Sequence, residues 1–147
     1  MDTVHYYTTS IDWKEGRIGT LHAEGGLPDI QVATPPEFPK GVPGYWSPEH
    51  LFVASAEICL MTTFLAIADN SKLEFGTYHS SATGKLEKVD GRFMISEITI
   101  SPRVTVFEEK DIERAERMLQ KAEDHCLISH SMKTTVHLKP IVELVTR

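Results

Sequence analysis

Ser47-Pro48-Glu49-His50-Leu51-Phe52-Val53-Ala54-Ser55-Ala56-Glu57-Ile58-Cys59-Leu60-Met61-Thr62-Thr63-Phe64-Leu65-Ala66-Ile67-Ala68 is the stretch on which the fold turns. Ser is a favoured helix N-cap, Pro is favoured at the first helical position, and Glu49 places a carboxylate at the positive end of the helix dipole. Leu51, Phe52, Ser55, Ile58, Cys59, Thr62, Leu65 and Ala66 then recur at helical spacing. Ala54, Ala56, Met61, Phe64 and Ile67 fill much of the remaining circumference, so the helix is apolar nearly all round. Such a helix is buried on most sides, which a small domain achieves only when a partner covers it. The chain has 147 residues, and a domain of that size buries about two thirds of the surface its unfolded form exposes.

Working outward, the N-terminal side reads as strands. His5–Ile11 is β-rich, Arg17–Ala23 partly alternates, Lys14-Glu15-Gly16 is a turn signal, and Asp29–Thr34 is a third short strand. Residues 35–47 carry Pro35, Pro36, Pro39, Gly41, Pro43 and Gly44, an irregular loop. On the C-terminal side, residues 74–89 and 92–106 form two long strands around Asp90-Gly91, a hairpin turn signal. Phe93, Ile95, Glu97, Thr99 and Ser101 are expected on one face of the second strand, and Met94, Ser96, Ile98 and Ile100 on the other. An amphipathic helix follows over residues 108–125, with Ile112, Ala115, Met118, Leu119 and Ala122 as its apolar stripe, and it delivers Cys126 at its C-terminal end. A final strand over residues 134–145 is bent or edged by Pro140. The order β-β-β-α-β-β-α-β is α+β, and residues 1–147 read as one domain.

Composition narrows the functional classes. With 41% apolar and 24% charged residues the make-up is that of an ordinary soluble domain. Lys+Arg number 15 against Asp+Glu 21, and the net charge of −6 argues against a nucleic-acid partner. No run approaching ~20 apolar residues is evident, and Met1-Asp2-Thr3-Val4-His5 lacks the features of a signal peptide. The expectation is a cytoplasmic protein with no membrane partner.

There are two cysteines, Cys59 and Cys126. A reducing compartment keeps an ordinary pair as thiols, and CxxC spacing is absent, so they are either two inert core thiols or one redox couple assembled by the fold. Free Cys packs readily on an apolar helix face. Cys126, at a helix C-terminus, has its thiolate disfavoured by the negative dipole end, which suits a second thiol better than a nucleophile. Glu57, a carboxylate on a nearly apolar helix, reads as a salt bridge or an exposed edge. His125, Cys126 and His130 fit no closed zinc pattern. No Gly-rich phosphate loop, GxSxG elbow or HExxH is present, so neither a metal nor a cofactor is expected.

Ser47-Pro48-Glu49-His50-Leu51-Phe52, followed by Ala54, Ala56 and Cys59, resembles the central-helix motif of the OsmC/Ohr family, the osmotically inducible and organic hydroperoxide resistance proteins. Cys126 with Ser129 resembles the family's second motif, Cys-x-x-Ser. The resemblance covers nearly the whole chain as a single OsmC-like domain. It implies an OsmC-like fold with antiparallel sheets, a buried central helix and an interwoven homodimer.

It also implies a cysteine-based hydroperoxide reductase. Cys59 is then the peroxide-reactive thiol, Cys126 the resolving thiol, and Glu49 and an Arg hold the site. Gly16-Arg17-Ile18-Gly19 resembles the turn that carries this Arg in the Ohr branch, which makes Arg17 the candidate; the loop before the central helix, where the OsmC branch keeps its Arg, offers only Lys40. Leu127 stands where a Pro is common, and these departures imply a less characterised OsmC-like branch. Organic hydroperoxides are the implied substrates and an external dithiol the implied reductant. Ten helical residues separate Glu49 from Cys59, a rise of about 15 Å, so the resemblance implies a composite site in which Glu49, with Arg17, approaches Cys59 of the other chain. The competing expectation is a non-enzymatic OsmC-like protein that binds a small hydrophobic ligand at the dimer interface.

Overall fold

The computed structural model describes residues 3–147. Two compact units divide after Leu51. In the first, β1 (Thr9–Glu15), β2 (Ile18–Ala23) and β3 (Ile30–Ala33) form an antiparallel sheet in the order β1-β2-β3. The turn lies at Gly16-Arg17, with Gly16 at φ 51°, and the register runs back from it to Thr9 opposite Ala23. Antiparallel register counts backward from the turn, so the first strand lies C-terminal to the β-rich residues His5–Thr8. Trp13 Nε1 donates to the Gly16 carbonyl at 3.1 Å across a register shift between Trp13 and Glu15. In the following loop, a Cβ at Gly41 would fall 2.0 Å from the Pro35 carbonyl oxygen, so only glycine fits there.

The central helix, α1 (Pro48–Asn70), starts as its sequence dictates. Ser47 is fully buried and its Oγ accepts the His50 N–H at 3.1 Å, which satisfies one of the free donors of the first turn. By length and composition α1 is apolar enough to cross a membrane, which corrects the expectation that no such run exists. Its Ala, Thr and Ser residues and Glu57 disguise the run without making the helix polar. Ala56, Leu60, Phe64 and Ala68, at i,i+4 spacing, are nonetheless buried in the protein core.

The second unit contains β4 (Phe75–Val89), β5 (Arg92–Val106), α2 (Lys110–Asp124), α3 (Leu127–His130), β6 (Thr135–Leu138) and β7 (Ile141–Leu144). β4 and β5 form the expected hairpin, with Asp90 at φ 51° and Gly91 at φ 79° supplying the turn. The alternation expected along β5 does not run through. Lys85 pairs with Glu97 and Leu86 with Ile95, which leaves Ser96 as a bulge and exchanges the faces. Ile95 therefore packs on the same core as Ile98 and Ile100, while Phe93 is exposed.

The single C-terminal strand expected over residues 134–145 is two strands. Both β6 and β7 pair parallel to β5, end to end along one edge, and Pro140 falls in the gap where it has no N–H to give. The element order is thus β-β-β-α-β-β-α-α-β-β, still α+β. The core joins α1 (Ala56, Leu60, Phe64), β5 (Ile98, Ile100, Val104, Val106) and α2 (Ala115, Met118, Leu119, Ala122). Each large aliphatic or aromatic side chain buried there contributes ~1.5–3 kcal/mol over its exposed state. Phe64 anchors β4 through ring contacts with Phe75 at 5.6 Å and Tyr78 at 5.5 Å. Gly84 permits the close approach of β4 to α1, since a Cβ there would lie 2.5 Å from Val53 Cγ2.

Candidate functional site

The structure brings Cys59 and Cys126 together. Cys59 lies on the buried stripe of α1, and Cys126 sits between the end of α2 and the start of α3, fully buried. Both are free thiols, and they lie near enough for each to shift the other's protonation. Their environments push them in opposite directions. Burial raises the Cys59 thiol, but hydrogen bonds from Cys126, the Ile128 backbone, Thr63 and the Leu127 backbone outweigh it, and the net shift is downward. Thr63 Oγ1 lies 3.9 Å from the sulfur. Cys126 is pushed up by burial and by the bond to Cys59, against opposing bonds to the Ser129 side chain and backbone. Cys59 is the thiol held toward its thiolate, the nucleophilic form.

No pattern in the chain foretells α3. Its first residues, Leu127 and Ile128, turn their backbones onto Cys59, and four residues are too few for a periodic pattern. Thr63 carried a readable signal, since i,i+4 spacing puts it on the same helix face as Cys59. A second overlooked contact joins Ser129 Oγ to the buried Glu123, at 2.7 Å to Oε1 and 3.3 Å to Oε2. Glu123 lies four residues beyond Leu119, at an apolar-stripe position, and a carboxylate there was the available clue. Glu57 is half-buried, and its Oε2 accepts the Ser80 hydroxyl at 2.5 Å. His130 Nε2 bonds the Asp124 carbonyl at 2.7 Å, and among the described residues no three His, Cys, Asp or Glu are grouped to hold a metal ion.

Arg17 and Glu49 lie in the first unit and line one groove of about 700 Å³. Its other walls are mostly apolar, including Ile11, Trp13, Leu21, Val32, Phe38 and Leu51. Arg17 is exposed on the turn between β1 and β2. Glu49 Oε1 is buried and has no hydrogen-bond partner among the described residues. Among the described residues no ion pair joins Arg17 to Glu49, so the apolar groove carries a guanidinium and an unpartnered carboxylate oxygen. Lys40, in the preceding loop, has a positive φ of 64°.

A buried pair of neighbouring thiols, one lowered and one raised, the first on a long apolar helix and the second just after an amphipathic one, defines a class of two-cysteine α+β proteins. The chain belongs to the OsmC-like protein family, whose family model matches residues 41–140. It is 23% identical over 140 residues to the uncharacterized protein YmaD of Bacillus subtilis, covering 92% of this chain and 91% of that one. An OsmC-like protein of unknown function from Vibrio cholerae has a similar structure, with a TM-score of 0.85 and 24% identity over 94% of this chain and 100% of the other. An organic hydroperoxide resistance protein from Elizabethkingia anophelis matches with a TM-score of 0.77 and 20% identity, covering 99% of this chain and 100% of its own. The organic hydroperoxide resistance protein OhrB of Bacillus subtilis matches with a TM-score of 0.69 and 21% identity over 94% and 98% of the two chains.

Proposed function

We propose that the protein is a cytoplasmic thiol peroxidase that reduces organic hydroperoxides through a Cys59–Cys126 redox couple, working as an interwoven homodimer in which residues 1–147 form one OsmC-like domain. The observation that carries this reading is the pair of buried free cysteines, Cys59 and Cys126, which the fold brings near enough for each to shift the other. The Cys59 thiolate attacks the outer peroxide oxygen, the O–O bond breaks, and the alcohol leaves after taking a proton. Cys59 is left as a sulfenic acid. Cys126 then attacks that sulfur, the S–O bond breaks, and water leaves as the disulfide forms. An external dithiol returns the bridge to two thiols.

Two features support the dimer. Ile58 and Leu65 of α1 are exposed within the chain on one side of the helix, an apolar face suited to a second copy of the same helix. Glu49 Oε1 also lacks a partner. In the proposed dimer Glu49 and Arg17 of one copy meet Cys59 of the other, where the guanidinium orients the peroxide and the carboxylate holds the guanidinium. The apolar groove walls favour bulky organic hydroperoxides over hydrogen peroxide.

A second reading rests on the same groove: a non-enzymatic protein that binds a small hydrophobic ligand at the dimer interface. Stopped-flow mixing of reduced protein with cumene hydroperoxide, with free thiols counted before and after, separates the two. Loss of two thiols per chain with alcohol release is the expected result, and full thiol recovery with no peroxide consumed overturns the peroxidase reading.

A further inference from the structure

Disulfide closure requires Cys126 to lose its proton, yet this sulfur is fully buried and held in its thiol form. The side chains that shift this sulfur are Cys59 and Ser129, and Ser129 stands on the one-turn helix that Cys126 caps. Cys59, once oxidised, is the electrophile, so Ser129 is the remaining route. The Ser129 hydroxyl is already committed as a donor to Glu123, at 2.7 Å to Oε1. Glu123 also accepts the Cys126 backbone N–H on its own carbonyl at 3.1 Å, so one residue fixes both the thiol's backbone and the far end of its hydrogen-bond chain.

Building on the peroxidase reading, we propose that Glu123 is a positioning residue that draws the Cys126 proton through the Ser129 hydroxyl as the disulfide closes. Ser129 passes its proton to the Glu123 carboxylate and takes the proton of Cys126. The Cys126 sulfur bonds to the Cys59 sulfenic sulfur, the S–O bond breaks, the departing hydroxide takes one proton from solvent to leave as water, and Glu123 returns its proton to solvent. Protons balance, and no further oxidant is needed.

The surroundings of Glu123 suit this role. It lines two adjoining cavities of about 620 and 310 Å³ in the second unit, which link the carboxylate to solvent. Burial pushes its carboxyl up, against the Ser129 bond, with Asp124 adding to the rise and His130 opposing it. Glu97, His137 and Lys139 face it across the larger cavity. A raised carboxyl is better matched to a thiol's proton than an ordinary one.

The test is single-turnover oxidation of the reduced full-length protein by cumene hydroperoxide, with Cys59 sulfenic acid trapped by dimedone and bridge closure followed by mass spectrometry. Glu123→Gln should leave sulfenic acid formation within about twofold of the parent and slow closure by about 100-fold. The rise of closure rate with pH should move from the Glu123 range toward that of the free thiol. Ser129→Ala should slow closure similarly, and Glu123→Asp should restore part of the rate. Closure at the parent rate in both Glu123→Gln and Ser129→Ala overturns the proposal, as does equal slowing of both steps. If the parent forms no sulfenic acid, the peroxidase reading fails, and the relay is then read with glutathione disulfide. Cys126 now displaces glutathione from Cys59, with the same slowing in the variants expected and equal rates overturning it.

Discussion

α1 and α2 each deliver one cysteine, and they finish their burial differently. α2 is amphipathic: Ala115, Met118, Leu119 and Ala122 face the core, while Glu113, Glu116 and Arg117 face solvent. Its first turn carries Asp111 and Glu113 and its last turn Lys121, which suit the helix dipole. α1 buries one stripe and leaves Ile58 57% exposed on the opposite side. The exposed side of α2 is charged, whereas that of α1 is apolar. The cysteines follow the same division. Cys59 sits in the helix with the apolar exposed side and is held toward its thiolate, whereas Cys126 sits at the end of the amphipathic helix and is held as a thiol.

The largest expected effect tests the second half of that contrast. Cys59→Ser should reduce hydroperoxide consumption to the uncatalysed background, while Cys126→Ser should still complete one turnover and then stall with a trappable sulfenic acid. Equal activity in both variants, measured by peroxide consumption and dimedone labelling, would erase the distinction between the thiols. Because Cys59 is lowered, the peroxide-reactive fraction should rise as pH climbs through a range below that of an ordinary thiol. A single-turnover rate that rises only in the free-thiol range removes this support.

The next effect tests the helices themselves. Ile58→Asp on α1 should halve the mass seen by light scattering, while Glu116→Lys on the outer face of α2 should leave it unchanged. An unchanged mass for Ile58→Asp breaks the comparison. Leu119→Ala on the buried stripe of α2 should cost about 2–5 kcal/mol by denaturant unfolding, because a fully buried leucine leaves a cavity. Replacing the α1 cap, Ser47→Ala, should cost less, about 0.5–2 kcal/mol.

The smallest effect lies in the N-terminal sheet. His22 bonds Asp29 at 2.8 Å through Nδ1 and Asp12 at 3.0 Å through Nε2, so both ring nitrogens face carboxylates. The Asp29 bond leads in raising His22 above its ordinary 6.5. A raised histidine adds stability fully below its unfolded value and loses it as pH rises through the folded one. Hydrogen exchange of the β1–β2 amides should therefore show protection falling above pH 6.5, beyond the intrinsic pH dependence, and His22→Gln should remove that change.

The long elements were legible because each carried several independent signals. Ser47-Pro48-Glu49 marked the start of α1 and Asp90-Gly91 the β4–β5 turn, and both lie where those residues predict. The misses share a physical cause, namely that they depend on pairing partners distant in sequence. The start of β1 is set by Ala23 across the sheet, the Ser96 bulge by the register of β4, and the split between β6 and β7 by two separate stretches of β5. In the site, the cysteines and Glu49 could be singled out from the chain. The backbone of Leu127 and Ile128 could not, since it reaches Cys59 only through a one-turn helix. The family resemblance supplied roles for the residues; the contact between the thiols needed the fold.

The arrangement of β6 and β7 along β5 has a consequence for how the chain is made. The β4–β5 hairpin closes over a two-residue turn and forms early, because its contacts are local. The other edge of β5 must wait for the last strands of the chain to return past α2 and α3. During synthesis, therefore, the Ile98–Val106 stretch stands for a time as an open, apolar edge, the kind of edge that recruits foreign strands. Its cover comes in two four-residue pieces, Thr135–Leu138 and Ile141–Leu144, each closing its own part of that edge.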